Sequence, residues 1–220
     1  MDDKGLVIVH ATFANLEPSE TEQAGRRLSP FDYDQKLTQL SWMENGRSQH
    51  LILAPEPTTG ASTWEFEENQ HVTLCDSESS MLVRFWEMVT KLSDAPYYTL
   101  LAGWGLRESI WPKLVTRALA LRIKVPKELR ADLFSRWNNN KALLEVSDIY
   151  RQGAYQREIP PLDQVLRYFD IPSCEDGFQL ETLHALTEAQ WVGNALGVNG
   201  LSALMCFMRG QHELIKRYYE

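Results

Sequence analysis

Gly103-Trp-Gly105, Gly200-Leu-Ser202, His212-Glu213 and His10 are where this chain puts residue types that could do chemistry. Each falls short of a working motif. Gly103-Trp-Gly105 lacks the third glycine of a dinucleotide-binding turn and runs into Leu106-Arg107-Glu108, a poor cradle for a pyrophosphate. Gly200-Leu-Ser202 opens like a nucleophile elbow, but Leu204 stands where a second glycine must permit the tight turn. His212-Glu213 lacks the second histidine, four residues on, that would complete a zinc-binding pair. No Walker loop is present. The plainer readings are a strand-end turn at Gly103 and a solvated helix face at His212.

The elements that would position these residues follow from hydrophobic periodicity. Leu6-Val-Ile-Val-His-Ala-Thr12 is a β-branched run that reads as a buried central strand. Segments 36–44 and 47–53 alternate as strands around Asn45-Gly46, a dipeptide suited to the positive φ angles of a type I′ turn, so a β-hairpin is expected. Residues 55–74 give no clear signal, although Trp64-Glu-Phe66 fits a short edge strand or a packed loop. After Asp76, Met81, Leu82, Phe85, Trp86, Val89 and Leu92 recur at helical spacing until Pro96.

Tyr97 to Trp104 reads as a further strand, followed by a helix over 109–122 with Leu114, Ala118 and Leu121 on one face. Beyond Pro126 the pattern is helical: 127–136, 142–151, 162–169 and 186–218. The expected class is therefore α/β, a single domain over 1–220 with a small mixed sheet of about five strands and a helical C-terminal half.

Composition sets outer limits. With 44% hydrophobic residues and seven Trp, 220 residues can bury one substantial core. No apolar run approaches the roughly 18 residues of a membrane span. The N-terminus, MDDKGLVIVH, has two acids where a secretory signal would be basic, so a cytoplasmic protein without membrane contact is expected. Cys75, Cys174 and Cys206 lack any CxxC spacing and are expected to be reduced thiols.

The net charge of −8 opposes non-specific binding to nucleic acid, which relies on cations displacing phosphate counterions. Charge is unevenly spread, however. Residues 1–76 hold 13 acids and 5 basic residues, whereas 107–141 hold 9 basic residues and 3 acids. The middle stretch is the candidate anion-facing surface. Trp104, Arg107, Lys113, Arg117 and Trp137 are its candidate contacts, aromatic rings stacking bases while cations hold phosphates. Core packing explains Trp104 better, and a solvated surface or a contact for an acidic protein explains the charge equally well.

In order and texture, Leu6 to Arg209 resembles the DnaQ-like 3′–5′ exonucleases of the ribonuclease H-like fold, in particular a group related to the proofreading domain of family B polymerases. The resemblance is carried by the run Leu101-Ala-Gly-Trp-Gly-Leu-Arg-Glu-Ser-Ile-Trp-Pro-Lys-Leu114, by Ile123-Lys-Val-Pro126, and by Pro161-Leu-Asp-Gln-Val-Leu-Arg-Tyr-Phe-Asp-Ile-Pro172. In that family four carboxylates hold two divalent ions, one activating water and one stabilising the leaving oxygen. The resemblance lays His10 and Thr12 over the first pair of acids, Ile110 over the next and Asn199 over the last, with Ala195 over the tyrosine that precedes it.

All four carboxylates are thus replaced. An isoleucine offers a metal no lone pair, and neutral Asn and His cannot offset two dications. A histidine at a strand end is more commonly hydrogen-bonded at a core edge than a ligand. The resemblance therefore implies a catalytically inactive exonuclease-like domain, a pseudoenzyme acting through single-stranded nucleic acid or a protein partner. Two alternatives stand beside it: an active nuclease with an atypical magnesium or manganese site, and a purely structural assembly subunit without nucleic-acid contact.

Overall fold

The computed structural model describes residues 5–15, 35–54, 62–93, 100–126, 143–151, 161–172 and 195–219. Seven strands form one mixed sheet: β1 (Leu6–Asn15), β2 (Gln35–Glu44), β3 (Arg47–Leu53), β4 (Ser62–Glu67), β5 (Gln70–Cys75), β6 (Leu100–Gly103) and β7 (Leu143–Glu145). Their order across the sheet is β4-β5-β3-β2-β1-β6-β7. β1, β6 and β7 run parallel, and β2 runs antiparallel to both β1 and β3. The outer pair extends this sheet, with β5 parallel to β3 and β4 antiparallel to β5.

The sheet is α/β, as the periodicity implies, but wider than the expected five strands. The excess lies in Gln70–Cys75, a full partner of β3 next to the edge strand that holds Trp64-Glu-Phe66, and in β7. The hairpin forms as read, with Asn45 and Gly46 at φ of 49° and 75°.

Alternation along β1 divides the core in two. Val7, Val9 and Ala11 enter one apolar cluster with Phe85, Trp86, Trp111 and Leu114, while Leu6 and Ile8 enter another with Val165, Leu166, Leu204 and Met208. Each cluster covers one face of the sheet, as the period of two in a strand requires. The first is roofed by α1 (Glu78–Ser93) and α2 (Trp111–Ala120). The second is roofed by α4 (Leu162–Tyr168) and α5 (Ala195–Tyr219). Helix α1 buries Met81, Leu82, Phe85, Trp86 and Val89, the very positions whose spacing predicts it.

Three expectations need correction. Residues 142–151 are not one helix: β7 is followed by the single turn α3 (Ser147–Arg151). Leu143-Leu-Glu-Val146 is too short an apolar run for periodicity to distinguish strand from helix. The segment after β6 begins as a π-helical turn, Leu106–Ile110, before α2 takes over. Cys206 is disulfide-bonded rather than reduced, whereas Cys75 is free and buried. Distance along the chain does not report the Cα separation on which a disulfide depends. The expected helix at 127–136 and the start of the one at 186–218 lie outside the described residues, as does the start of the strand at 97–104. Among the described residues, no helix is long and apolar enough to cross a membrane.

Candidate functional site

The C-terminal ends of the parallel strands β6 and β7 lie beside the middle of β1, which continues five residues past His10. Val7 and Ile8 align with Leu101 and Ala102 on β6, which align in turn with Leu143 and Leu144 on β7. His10, the Gly103-Trp-Gly105 turn and Glu145 therefore sit at one level.

Two glycines make the turn after β6. A Cβ on Gly103 would lie 2.5 Å from the carbonyl oxygen of Val9, so β1 and β6 approach this closely only with glycine there. Gly105 has φ of 70° and starts the π-helical turn. Glu145 holds the turn in place. Its Oε1 accepts from the Gly105 N–H (2.7 Å), the Ser147 N–H (3.2 Å) and the Ser147 hydroxyl (2.9 Å), and its Oε2 accepts from the Arg107 N–H (3.0 Å). Burial raises the Glu145 pKa, while these four bonds pull it the other way. Both oxygens are committed to the protein, which makes Glu145 a clamp between two turns.

His10 points to the face covered by α5. Its ring meets Phe207 edge-on, with centroids 5.1 Å apart and planes at 68°. Nε2 lies 3.5 Å from the Thr12 hydroxyl, at the limit of a hydrogen bond. Desolvation lowers the imidazole to about pKa 4, so it is uncharged at neutral pH. One turn beyond Phe207, Gln211 is fully buried and its Oε1 accepts from the Trp104 N–H at 2.8 Å. Among the described residues its Nε2 has no partner, nor does Oε1 of buried Gln39, whose residue pairs with Thr12 across β1 and β2.

A polar row continues from this point across the sheet. Ser41 pairs with His10 on one side and with His50 on the other. The His50 ring is bracketed by the hydroxyls of Ser41 (Nδ1, 3.0 Å) and Ser48 (Nε2, 2.9 Å). Burial pushes His50 down to about pKa 3. Sequence reading missed Glu145 and this row. Alternation of Gln39, Ser41, Ser48 and His50 with apolar neighbours was visible, but it looks the same as the solvent face of a hairpin.

The residues expected to form the site are only partly brought together. His10 and Thr12 share the α5 face. Ile110 is buried in the opposite cluster with Leu106 and Trp111, so its side chain does not meet them. Asn199 lies two turns before Phe207 on α5. Among the described residues, no group of three or more His, Cys, Asp or Glu could hold a metal ion.

The expected anion contacts are engaged within the protein. Arg117 forms a two-pronged bond to Glu78, Nε to Oε1 at 2.7 Å and Nη2 to Oε2 at 2.6 Å. Arg107 is bonded to Asp148, with Arg151 and Glu108 forming the adjoining pair. Lys113 Nζ donates to Gln35 Oε1 at 2.6 Å and stands 5.2 Å from the centre of the Phe13 ring. Trp104 is half-buried against the second core cluster. Trp137 lies outside the described residues.

No family model matches the chain, and no curated protein is detectably similar to it.

Proposed function

We propose that the chain is a ribonuclease H-like domain of the exonuclease type that has given up catalysis and serves as a protein-interaction subunit. What supports the fold reading is the inner five strands, β3-β2-β1-β6-β7, in which β2 alone runs against the others. The hairpin flanks β1 on one side, and the strand reached after a helix flanks it on the other. That is the order in which the resemblance requires its motifs.

The single observation carrying the loss of catalysis is the chemistry on β1 beside the end of β6. His10 is uncharged and packs edge-on against Phe207, with the Thr12 hydroxyl 3.5 Å from its Nε2, at the place where the resemblance requires two carboxylates. A ring of this kind fills space and offers no charge to a dication.

Interaction with a protein is preferred to nucleic acid for two reasons. Arg107, Lys113 and Arg117 each already bond a side chain of the protein, so phosphate would have to compete with Asp148, Gln35 and Glu78. Tyrosines, meanwhile, crowd one corner. Tyr168 is 76% exposed, and Tyr218 and Tyr219 are 59% and 50% exposed. The ends of α4 and α5 that carry them are tied together by Arg217 Nη1 donating to the Phe169 carbonyl at 2.6 Å. Tyrosine supplies large, stiff contact area and is enriched in protein interfaces.

The test is fluorescence anisotropy with labelled single-stranded DNA and RNA over a salt series. The expected result is no saturable binding even at low salt. Saturable binding that weakens steeply as salt rises would overturn the preference and return the role to nucleic acid.

A further inference from the structure

The two turns that follow β6 and β7 aim hydrogen-bond donors at one place. Gly105, at φ 70° and ψ 14°, is left-handed, and Leu106 begins a right-handed helical turn. A left-handed residue followed by a right-handed one points backbone N–H groups into a shared concavity, an arrangement that binds anions. Here these are the Gly105 and Arg107 N–H groups, and the Ser147 N–H and hydroxyl meet them from the other turn. All four donors end on the Glu145 carboxylate, three on Oε1 at 2.7 to 3.2 Å and one on Oε2 at 3.0 Å.

Glu145 is 1% exposed, yet among the described residues no salt bridge reaches its carboxylate. Glu78, the other buried carboxylate described, is held by the Arg117 guanidinium instead. Cations stand one step further from Glu145. The Arg107 guanidinium goes to Asp148, and Arg151 pairs with Glu108. The Glu145 charge acts on Arg151, whose Nε is buried and has no hydrogen-bond partner among the described residues. Glu145 is thus seated as a ligand among neutral donors, with positive charge behind them, rather than as one half of an ion pair.

We propose that the turns after β6 and β7 form a carboxylate-binding site in their own right, which Glu145 fills as a tethered ligand and closes to carboxylates from solution. Bonds that do not involve Glu145 hold the same turns. The Gly105 carbonyl accepts from the Ser109 and Ile110 N–H groups at 3.0 Å each, and the Gly103 carbonyl accepts from the Val146 N–H at 3.1 Å. The donors therefore stay aimed when the side chain is cut away. A monoanion with two oxygens suits them better than phosphate, because Asp148 and Glu108 beside the arginines repel a dianion more strongly. Chloride offers a single centre to donors divided between two oxygens. The site does not rest on the function proposed above.

Glu145→Ala removes the carboxylate, and formate supplies one of the size removed. The test measures urea midpoints of the intact chain as formate is raised, with sodium chloride at equal ionic strength beside it. The Gly105, Arg107 and Ser147 amide signals are followed by ¹H–¹⁵N NMR. Formate is expected to raise the Glu145→Ala midpoint saturably and to shift those amides, while chloride does neither. Wild type and Glu145→Gln, whose side chains still fill the site, should not respond. Adding Ser147→Ala to Glu145→Ala should weaken formate about tenfold, the size of one hydrogen bond to a charged group. If Glu145→Ala is unfolded in buffer, formate but not chloride is expected to restore its far-ultraviolet circular dichroism. The proposal is overturned if formate acts no differently from chloride, or if the three amides do not move. It is also overturned if Ser147→Ala leaves the formate response unchanged, or if phosphate binds more tightly than formate.

Discussion

Arg117→Ala leaves the Glu78 carboxylate, 5% exposed, without its cation in a junction where α1, α2 and β2 meet. Among the described residues, what remains to Glu78 is one bond from the Leu37 N–H at 3.1 Å. Truncating one member of a buried ion pair typically costs ~3–5 kcal/mol, because the partner's charge stays desolvated. Arg117 itself is 15% exposed, so some water can reach the gap and the lower end of that range applies. A loss of about 3 kcal/mol is expected, which at a urea dependence of ~2 kcal/mol per molar lowers the unfolding midpoint by roughly 1.5 M. Glu78→Gln should cost less, since the amide still accepts from Leu37. In the double variant Arg117→Met with Glu78→Gln, the loss should fall well short of the sum of the single losses. Urea unfolding followed by far-ultraviolet circular dichroism measures all of these. An Arg117→Ala midpoint within about 0.3 M of wild type would refute the assignment of Arg117 to the core junction and free it for an anion.

The remaining expectations concern the clamp, the polar row and the close approach of β1 to β6. Burial raises the Glu145 pKa above its ordinary 4.5, so the folded state holds a proton more readily than the unfolded one. Its contribution is full below that value and is lost as pH rises through the folded pKa. Wild type should accordingly lose ground against Glu145→Gln as pH rises from 4.5, and a pH-independent difference in urea midpoints would contradict this. For His50 the sign is reversed: its pKa is lowered from 6.5 to about 3, so stability present above 6.5 is lost as pH falls toward 3. The His50 Cε1–H resonance should keep its neutral position at pH 5, and a protonated shift there would count against the buried row. Gly103→Ala drives a Cβ into the Val9 carbonyl and should cost about 2 kcal/mol or more. A variant as stable as wild type would mean that β1 and β6 are free to separate.

Local signals in the sequence were reliable where a single segment decided the outcome. Asn45-Gly46 fixed the hairpin, and the apolar stripe from Met81 to Val89 fixed the face of α1. What escaped depends on residues far apart in the chain. Arg117 looks like surface charge until Glu78, 39 residues earlier, is seen against it. Glu145 looks like the polar face of a helix because Leu143-Leu144 is too short to declare a strand, and its three turn partners come from 105–107 and 147. His50 and Ser41 become a buried row only when both faces of the hairpin are covered, a tertiary fact invisible to alternation. Ile110 shows the limit of placing a residue by likeness alone. It follows the right strand, yet its side chain turns to the opposite face from His10.

The central claim is that the stretch of β1 carrying His10 and Thr12 has no nuclease chemistry. Purified chain incubated with 3′- and 5′-labelled single-stranded DNA and RNA, in magnesium and separately in manganese, tests it most directly. The oligonucleotides should stay at full length. A metal-dependent ladder of 3′-shortened products that follows the protein through purification and is lost in a His10→Ala variant would contradict the claim.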